Sequence, residues 1–391
     1  YLHTQQHRLG EIPMRNRSSR ANTRTTAARG ALALLLPTTL ALTACSPSDN
    51  AEPASEQPTE SSSQAAGTVS AEAGDGASIS NANLPPNFDL QSHRGGRGEW
   101  TEESRTAFEE SLAMGVTTLE LDIVMSADGV PVVWHDPEIQ TDKCRDTEPV
   151  EADDEQFPYV GKLVHDLTWE QLQTLECDVK LEDFPDQVPV DGNKLIDLPE
   201  LFELASSDDD VYFNIETKIE AEERDKSAEP QEFVDAILAA ADEAGTTDRL
   251  MIQSFDWRSL PLVREKNPDV PLIMLYDDTT WVPDSPWTGD VDYDSVGGDI
   301  VEAARHIGAA VLSPGYSVPS DAEAGDDDYN PVATPEYIQK AHDAGLRVIP
   351  WTVNDEATMR GQIEAGVDGI ITDYPTMLKT ILDEQSVDYS R

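Results

Sequence analysis

The chain is poor in basic residues, in cysteine and in long apolar runs. Its 391 residues include 27 Lys and Arg against 76 Asp and Glu, so the formal net charge is −49. Sequence-independent nucleic-acid binding requires cationic side chains that displace counterions, so this charge argues against a nucleic-acid partner. Because no run of 18 apolar residues is present, the sequence predicts no ordinary transmembrane span. Any phosphate that this protein binds must therefore meet a local cationic site, formed by side chains or a metal ion.

Residues 1–45 have the pattern of an export signal. Five arginines between positions 15 and 29 precede a short apolar run over 31–42, and small residues follow. This order is typical of a secretory signal peptide. The closing Leu-Thr-Ala-Cys resembles a bacterial lipoprotein cleavage box, which implies that Cys45 is lipidated. We therefore predict an N-terminal extension and lipoprotein signal over 1–45, and an exported protein held by a lipid anchor on the extracytoplasmic face of the cell envelope. The alternative is a plain signal peptide with a chance cysteine.

The next segment, 46–86, contains no Lys, no Arg and no aromatic residue. Ser, Ala, Glu, Gly and Pro dominate it, and such a composition cannot bury enough apolar surface to fold. We predict a disordered linker over 46–86 and a folded domain over 87–391.

Two further cysteines, Cys144 and Cys177, lie within the predicted domain. In an exported chain they form a disulfide more readily than in the cytosol. The alternative is a pair of free thiols. Metal binding by the pair is disfavoured, because no His or Cys lies at a short spacing from either.

From residue 87 onward, short apolar runs alternate with amphipathic stretches that often stop at Gly. Eight strand candidates alternating with helices predict an α/β fold, a (β/α)8 TIM barrel. The alternative is an open doubly wound sheet, but no glycine-rich dinucleotide turn follows the first strand. Residues 136–197 and 277–307 are too long for ordinary connections and are interpreted as insertions, the first after the second strand region. The predicted strands are 88–93, 117–124, 211–218, 250–254, 271–276, 309–313, 347–352 and 369–372, with helices over 102–114, 230–244, 335–344 and 355–365.

Acidic side chains alternate with apolar ones in two of these strands. Since alternate residues of a barrel strand face the interior, Glu120 and Asp122 of one strand and Glu216 and Lys218 of another should meet there. Three carboxylates without a His or Cys partner suit a hard cation, Mg²⁺ or Ca²⁺. The alternative is a buried salt-bridge cluster neutralised by Lys218 and Arg94.

Two histidines follow predicted extended runs. His93 and Arg94 close the first strand, and His135 follows Val-Pro-Val-Val-Trp. Residues at the carboxyl ends of barrel strands lie on the catalytic face, where two histidines can share acid and base roles. The planar guanidinium of Arg94 suits phosphate oxygens.

Seven short motifs occur in a fixed order from residue 93 to residue 375. They are His93-Arg94-Gly95, Leu119-Glu120-Leu121-Asp122, Val132-Val133-Trp134-His135-Asp136, Asn214-Ile215-Glu216-Thr217-Lys218, Gln253-Ser254-Phe255-Asp256, Trp351-Thr352-Val353-Asn354 and Gly366-Val367-Asp368-Gly369-Ile370-Ile371-Thr372-Asp373-Tyr374-Pro375. Together they resemble the glycerophosphodiester phosphodiesterase family over the whole predicted domain. Where that family usually has Pro-Glu-Asn-Thr after the first strand, this chain has Glu103 in place of Asn.

The resemblance implies a (β/α)8 barrel that hydrolyses glycerophosphodiesters to glycerol 3-phosphate and an alcohol with a divalent cation. Trp351 is a further candidate for contact with the substrate, because it ends a predicted strand. The resemblance also implies roles for individual residues. The implied roles are metal ligation by Glu120, Asp122 and Glu216, acid–base catalysis by His93 and His135, and phosphate binding by Arg94 and Lys218.

Two other functions remain open for this sequence. A phospholipase-D-like enzyme could use the same barrel on intact lipid, although no apolar loop patch is evident and the net charge repels anionic membranes. A non-catalytic surface binding protein on the same barrel is the second alternative. The intact histidines and carboxylates argue against it. The predicted partner is a small glycerophosphodiester substrate, and contact with the membrane is predicted only through the N-terminal lipid anchor.

Overall fold

The computed structural model describes residues 79–320 and 322–391. The predictions for 1–45, including lipidation of Cys45, and for the linker up to residue 78 lie outside these residues. Within the described part of the chain, no helix is both long and apolar enough to cross a lipid bilayer.

Eight parallel strands form a nearly closed barrel, which confirms the predicted fold class. The strand order is β8-β7-β6-β5-β4-β2-β1-β9, and a short strand β3 pairs antiparallel with β2. Between the two ends of this order, Asp368 N–H donates to Val348 O at 2.9 Å and Ile371 N–H donates to Pro350 O at 3.1 Å. The strands are β1 (Asp89–Ser92), β2 (Thr118–Met125), β3 (Pro131–Val133), β4 (Tyr212–Thr217), β5 (Leu250–Ser254), β6 (Leu272–Tyr276), β7 (Val311–Pro314), β8 (Arg347–Val348) and β9 (Gly369–Thr372).

Helices follow the strands and cover the outside of the barrel. Local sequence sets their ends: α4 begins with a Pro at its first position, and Gly245 ends it in the left-handed conformation, at φ 68°. The helices are α1 (Arg105–Met114), α2 (Trp169–Leu172), α3 (Leu198–Leu204), α4 (Pro230–Ala244), α5 (Ser259–Lys266), α6 (Ile300–Ile307), α7 (Pro335–Asp343), α8 (Glu356–Ala365) and α9 (Pro375–Gln385).

Three predicted boundaries were wrong, each for a local reason. The helix predicted from residue 102 starts at Arg105, because the Ser104 side chain caps it by accepting from Ala107 N–H. The strand predicted over 347–352 ends at Val348, since Pro350 has no N–H to continue the ladder. The second predicted insertion, 277–307, is shorter than expected, because its last eight residues form α6.

The predicted inward and outward faces of the strands are confirmed. Leu119, Leu121 and Phe213 belong to the main apolar cluster between sheet and helices. Glu120 and Asn214, which are register partners on β2 and β4, hydrogen bond within the barrel to the amide side chain of Gln253. Polar interior positions are thus concentrated on the first strands.

Residues 79–86, assigned above to the end of the linker, belong to the folded unit. Leu84 is buried with Met251, Ile273 and Ile349 in a separate apolar cluster. Arg347 Nη1 donates to Pro85 O at 2.6 Å. Burial of Leu84, with Ile79 packed against the same cluster, therefore holds this end of the polar segment on the barrel.

The first insertion, 136–197, packs around an apolar cluster that also includes Val124, Val132 and Trp134. Tyr159, Leu167 and Leu172 are fully buried in it, together with both cysteines. A disulfide joins Cys144 and Cys177, with the sulfurs 2.04 Å apart. The insertion is therefore a small packed lobe beside the barrel mouth, with a covalent crosslink in its centre.

Candidate active site

A cavity of about 240 Å³ opens at the carboxyl ends of the barrel strands. Of the residues predicted for catalysis, phosphate binding, metal ligation and substrate contact, all but Asp122 line it. Asp122 lies in the same cluster and is fully buried. The structure thus brings together residues of five strands, β1, β2, β3, β4 and β8, or of the segments that directly follow them.

Glu120, Asp122 and Glu216 offer one oxygen each within 4.8 Å of one another. Glu120 accepts from the backbone N–H of Arg94 at 3.0 Å and from Gln253 Nε2 at 2.6 Å. By contrast, neither oxygen of Asp122 accepts a hydrogen bond from the described residues. The Arg94 guanidinium lies 2.9 Å from Oδ2, so Asp122 is ion-paired without being hydrogen bonded to any described residue. The three adjacent buried carboxylates form a donor set that fits a hard cation bound by oxygen ligands.

The pKa values of the three carboxyls reflect their crowding. Burial, with the neighbouring charge of Asp122, raises the pKa of Glu120 well above its usual range. Burial also raises the pKa of Glu216 to about 8, although Lys218 opposes the change. The pKa of Asp122 is lowered, because Arg94 and Lys218 outweigh the effect of burial. Three ionised carboxylates at this spacing repel one another, and a bound cation would favour their charged forms.

The two predicted phosphate-binding cations are held by these same acids. Arg94 Nε lies 2.9 Å from Asp122 Oδ2, and its Nη1 donates to Glu102 at 3.0 Å. Lys218 Nζ donates to Glu216 Oε1 at 2.9 Å. Both side chains reach the cavity with their orientation fixed in advance, as phosphate recognition requires.

His93 is fixed by a carboxylate at the end of β9. Its Nδ1 lies 2.5 Å from Asp373 Oδ1, and Asp373 also accepts from Arg97 Nε at 3.0 Å and from Asn354 Nδ2 at 2.7 Å. Asp373 is fully buried, and its cationic neighbours lower its pKa to about 2 despite that burial. Since an ionised Asp373 favours a proton on Nδ1, the Nε2 lone pair of His93 is left to face the cavity.

His135 has a similar partner in a more open setting. Its Nδ1 lies 2.9 Å from Asp136 Oδ1, and Asp136 Oδ2 in turn accepts from Lys143 Nζ at 2.5 Å. The His135 side chain is 29% exposed, against 11% for His93. Burial, reinforced by Arg94 and Lys218, lowers the pKa of His135 well below its ordinary value, and burial also lowers that of His93.

Glu103 replaces the Asn of the resembled family, and the structure accounts for its position. It adopts a φ of 53°, in the left-handed region that Asn tolerates well. Its buried Oε1 accepts from the backbone N–H of Asp122 at 3.0 Å. Burial, together with the charge of Asp122, raises the pKa of Glu103 well above its usual range. Glu103 thus supports the backbone of one candidate metal ligand.

Trp351 lines the cavity, as predicted, and donates from Nε1 to Ser313 O at 2.9 Å.

Sequence reasoning assigned no role to several other residues of the site. Asp373 and Asn354 were quoted only as parts of motifs, although each follows a strand end, a position that would have marked them. Arg97 and Lys143 carried no signal in the sequence.

A wider groove of about 1130 Å³ adjoins the inner cavity and lies against the insertion. The two share Arg97, Asn354 and Asp373 in their walls. On the insertion side the groove is lined by residues that include Lys143 and Phe184. A substrate longer than the inner cavity therefore has a continuous path towards the insertion.

A parallel barrel with carboxylates, two histidines and two cations at its carboxyl end has the features of a phosphodiester-cleaving hydrolase. Residues 93–377 match the Glycerophosphoryl diester phosphodiesterase family. The chain belongs to this family, and its enzyme class is that of the phosphoric diester hydrolases.

Relatives and solved structures agree with this assignment. The chain is 28% identical to a glycerophosphodiester phosphodiesterase of Caldanaerobacter subterraneus, over 73% of this chain and 94% of that protein. A crystal structure from Silicibacter pomeroyi, named for the same activity, superimposes with a TM-score of 0.63 and 28% identity, covering 81% of this chain and 96% of that one. The fold is also that of an Oleispira antarctica phosphodiesterase, solved with the product sn-glycerol-3-phosphate (TM-score 0.55, 18% identity, 77% and 98% covered).

Proposed function

We propose that this protein hydrolyses glycerophosphodiesters to glycerol 3-phosphate and an alcohol, with the help of a divalent cation. The observation that carries the proposal is the meeting of the His93–Asp373 and His135–Asp136 pairs with the three-carboxylate cluster in one cavity. The names of the relatives, and the product bound in the Oleispira structure, support the choice of substrate.

In this proposal the two histidines divide the proton transfers. With Nδ1 held by a carboxylate, each histidine presents Nε2 to the cavity, where one takes the proton of the attacking hydroxyl and the other gives a proton to the leaving alcohol. A phosphodiester anion bound between them favours the protonated form of the histidine that acts as the acid, which offsets the effect of burial on its pKa, while the other histidine acts as the base in its neutral form. Arg94 and Lys218 bind the phosphoryl oxygens and stabilise the charge that develops on them.

Glu120, Asp122 and Glu216 would hold the cation, either Ca²⁺ or Mg²⁺. When bound, such an ion supplies positive charge that stabilises phosphoryl oxygens in the transition state. The support for this part of the proposal is the buried Asp122 carboxylate, which has no hydrogen-bond donor among the described residues.

The direct test is release of glycerol 3-phosphate from glycerophosphocholine, first after EDTA treatment and then with Ca²⁺ or Mg²⁺ restored. We expect activity to be lost with EDTA and recovered with at least one of the two cations. Activity that survives complete metal removal would overturn the role of the cation. A folded protein that is inactive with every cation would overturn the choice of substrate, and vesicles of intact phospholipid would then test the phospholipase-D-like alternative.

We further propose that the enzyme is exported and anchored to the extracytoplasmic face of a membrane through lipid on Cys45. The support comes from the signal-like pattern of residues 1–45 and from the Cys144–Cys177 disulfide, since disulfides persist mainly in oxidising compartments. In cells fed labelled palmitate, we expect the wild-type protein to carry label in the membrane fraction and Cys45→Ala to lose both. Unchanged labelling of Cys45→Ala would contradict the proposal.

A further inference from the structure

We propose that Lys143, which the insertion contributes, is a positioning residue for this reaction and acts through Asp136 on His135. The inference rests on the proposed function for its kinetic consequences. It assigns the insertion a part in the acid–base apparatus, beyond a place at the rim of the groove.

Lys143 lies between two carboxylates of the site. Its Nζ is 2.5 Å from Asp136 Oδ2 and 2.5 Å from Glu102 Oε1. The ammonium also lies 5.3 Å from the centre of the Trp134 ring, within the range of a cation–π contact. With 12% of its side chain exposed, Lys143 is largely removed from water, and its contacts are therefore stronger than those of a surface ion pair.

The two carboxylates, Asp136 and Glu102, each contact a different side chain of the candidate site. Asp136 holds Nδ1 of His135, and Glu102 holds Nη1 of Arg94 at 3.0 Å. Without the lysine, the two acids would face each other with no shared cation and would repel. Asp136 is the more exposed of the pair, at 14% against 5% for Glu102, and Glu102 keeps Arg94 as a partner. The loss of Lys143 should therefore displace Asp136, and with it His135, more than Arg94.

The backbone around Lys143 is held by the insertion. Lys143 O accepts from Val179 N–H at 3.2 Å, and the next residue, Cys144, donates its N–H to Gln140 O at 2.9 Å. The disulfide from Cys144 to Cys177 crosslinks the same two segments. The position of the ammonium beside Asp136 is thus set by the packed lobe.

Kinetics on glycerophosphocholine with saturating cation can test the proposal. We expect Lys143→Met to lower kcat about tenfold, in the range found when residues that orient catalytic ligands are lost, with a smaller change in KM. Lys143→Arg should recover most of the activity, because its charge can reach the same acids. The matched control is Lys194→Met, an exposed lysine of the same lobe that lines neither cavity and whose ammonium donates to Thr174 O and Leu175 O, and it should stay within about twofold of wild type.

A double-mutant cycle with Asp136→Asn separates positioning from general damage. If Lys143 acts through Asp136, Lys143→Met should add little to the loss already caused by Asp136→Asn. Fully multiplicative losses, or a Lys143→Met enzyme as active as the control, would overturn the proposal.

A measurement without substrate keeps failure of this proposal distinct from failure of the proposed function. In the histidine NMR spectrum, Lys143→Met should shift the ring signals of His135 and leave those of His93 in place. Unchanged His135 signals would overturn the positioning role, even if wild type proved inactive on glycerophosphodiesters. Displaced His93 signals would instead indicate general unfolding of the site, and would equally count against a specific role.

Discussion

His93 and His135 have similar carboxylate partners, but the surroundings of these two carboxylates differ. Each has a carboxylate at Nδ1, but the partner of His93 is buried on the barrel and accepts from Arg97 and Asn354 as well. The partner of His135 is partly exposed and depends on one lysine from the insertion. One histidine of the proposed acid–base pair is therefore held by residues at the strand ends of the barrel, and the other is held through a lysine of the insertion.

This difference indicates where the site can change without loss of the fold. The strands that precede His93 and Asp373 are neighbours in the barrel, since β1 and β9 pair in register, with Ser92 beside Thr372. The insertion contacts the candidate catalytic side chains through fewer residues than the strand ends do. We therefore expect the same chemical change to cost more on the His93 side than on the His135 side.

The largest expected effect is that of Asp373→Asn. The amide keeps the shape of the side chain but cannot favour a proton on Nδ1 of His93. The ring proton then moves to Nε2, which no longer has a free lone pair with which to accept a proton. We predict a fall in kcat of about 10²- to 10⁴-fold, as in other carboxylate–histidine pairs. A fall of less than tenfold in steady-state assays would show that Asp373 is not needed to hold His93 in its active tautomer.

Removal of the disulfide should weaken the lobe while sparing the barrel. For a Cys144→Ser, Cys177→Ser variant we predict a loss of about 2–5 kcal/mol in the unfolding free energy of the insertion. Hydrogen exchange should show the loss in residues 136–197 and leave β1 and β9 as protected as before. Equal loss of protection in both regions would mean that lobe and barrel unfold as one unit.

The pH dependence of stability should reveal the ionised state of Asp373. Its pKa is lowered to about 2 in the folded protein, so its ionisation stabilises the fold at neutral pH. Against an unfolded value near 3.9, this contribution is about 2–3 kcal/mol; it is present above the unfolded pKa and is lost as pH falls towards 2. In urea unfolding between pH 3 and 7, the gap between wild type and Asp373→Asn should narrow on the acid side. A gap that does not change with pH would show that Asp373 is not held ionised.

The smallest expected effect is that of Asp136→Asn, at about tenfold in kcat. Asp136 is closer to solvent, and water can replace part of its contact with His135. Measured beside Asp373→Asn under the same conditions, this variant sharpens the comparison. Equal losses in the two variants would show that the two supports do not differ in importance.

Much of the barrel and the carboxylate cluster could be predicted because both follow from strand alternation. The spacing of Glu120 and Asp122 fixes them on one face, and the register of β2 with β4 places Asp122 beside Glu216. The ends of the elements were less predictable. Ser104, as a helix cap, moved the start of α1, and Leu84 drew a polar segment onto the barrel.

The supporting residues could not be predicted, because their partners are distant in sequence. Asp373 meets His93 across 280 positions, and although its place directly after a strand marks it as a candidate, nothing local shows that His93 is its partner. Lys143 reaches Glu102 only because the insertion folds back over the barrel mouth. The side chains proposed to carry out the chemistry fall in short local motifs, whereas the contacts that hold them in place join distant parts of the sequence.

The central claim is that carboxylates hold Nδ1 of both histidines and leave Nε2 of both free to act. The most direct measurement is ¹⁵N NMR of the protein labelled at histidine, at a pH where the rings are neutral. The account predicts that His93 and His135 both carry the proton on Nδ1, with an unprotonated Nε2, and that this state is lost at His93 alone in Asp373→Asn. A proton on Nε2 of either ring in the wild-type protein would contradict it.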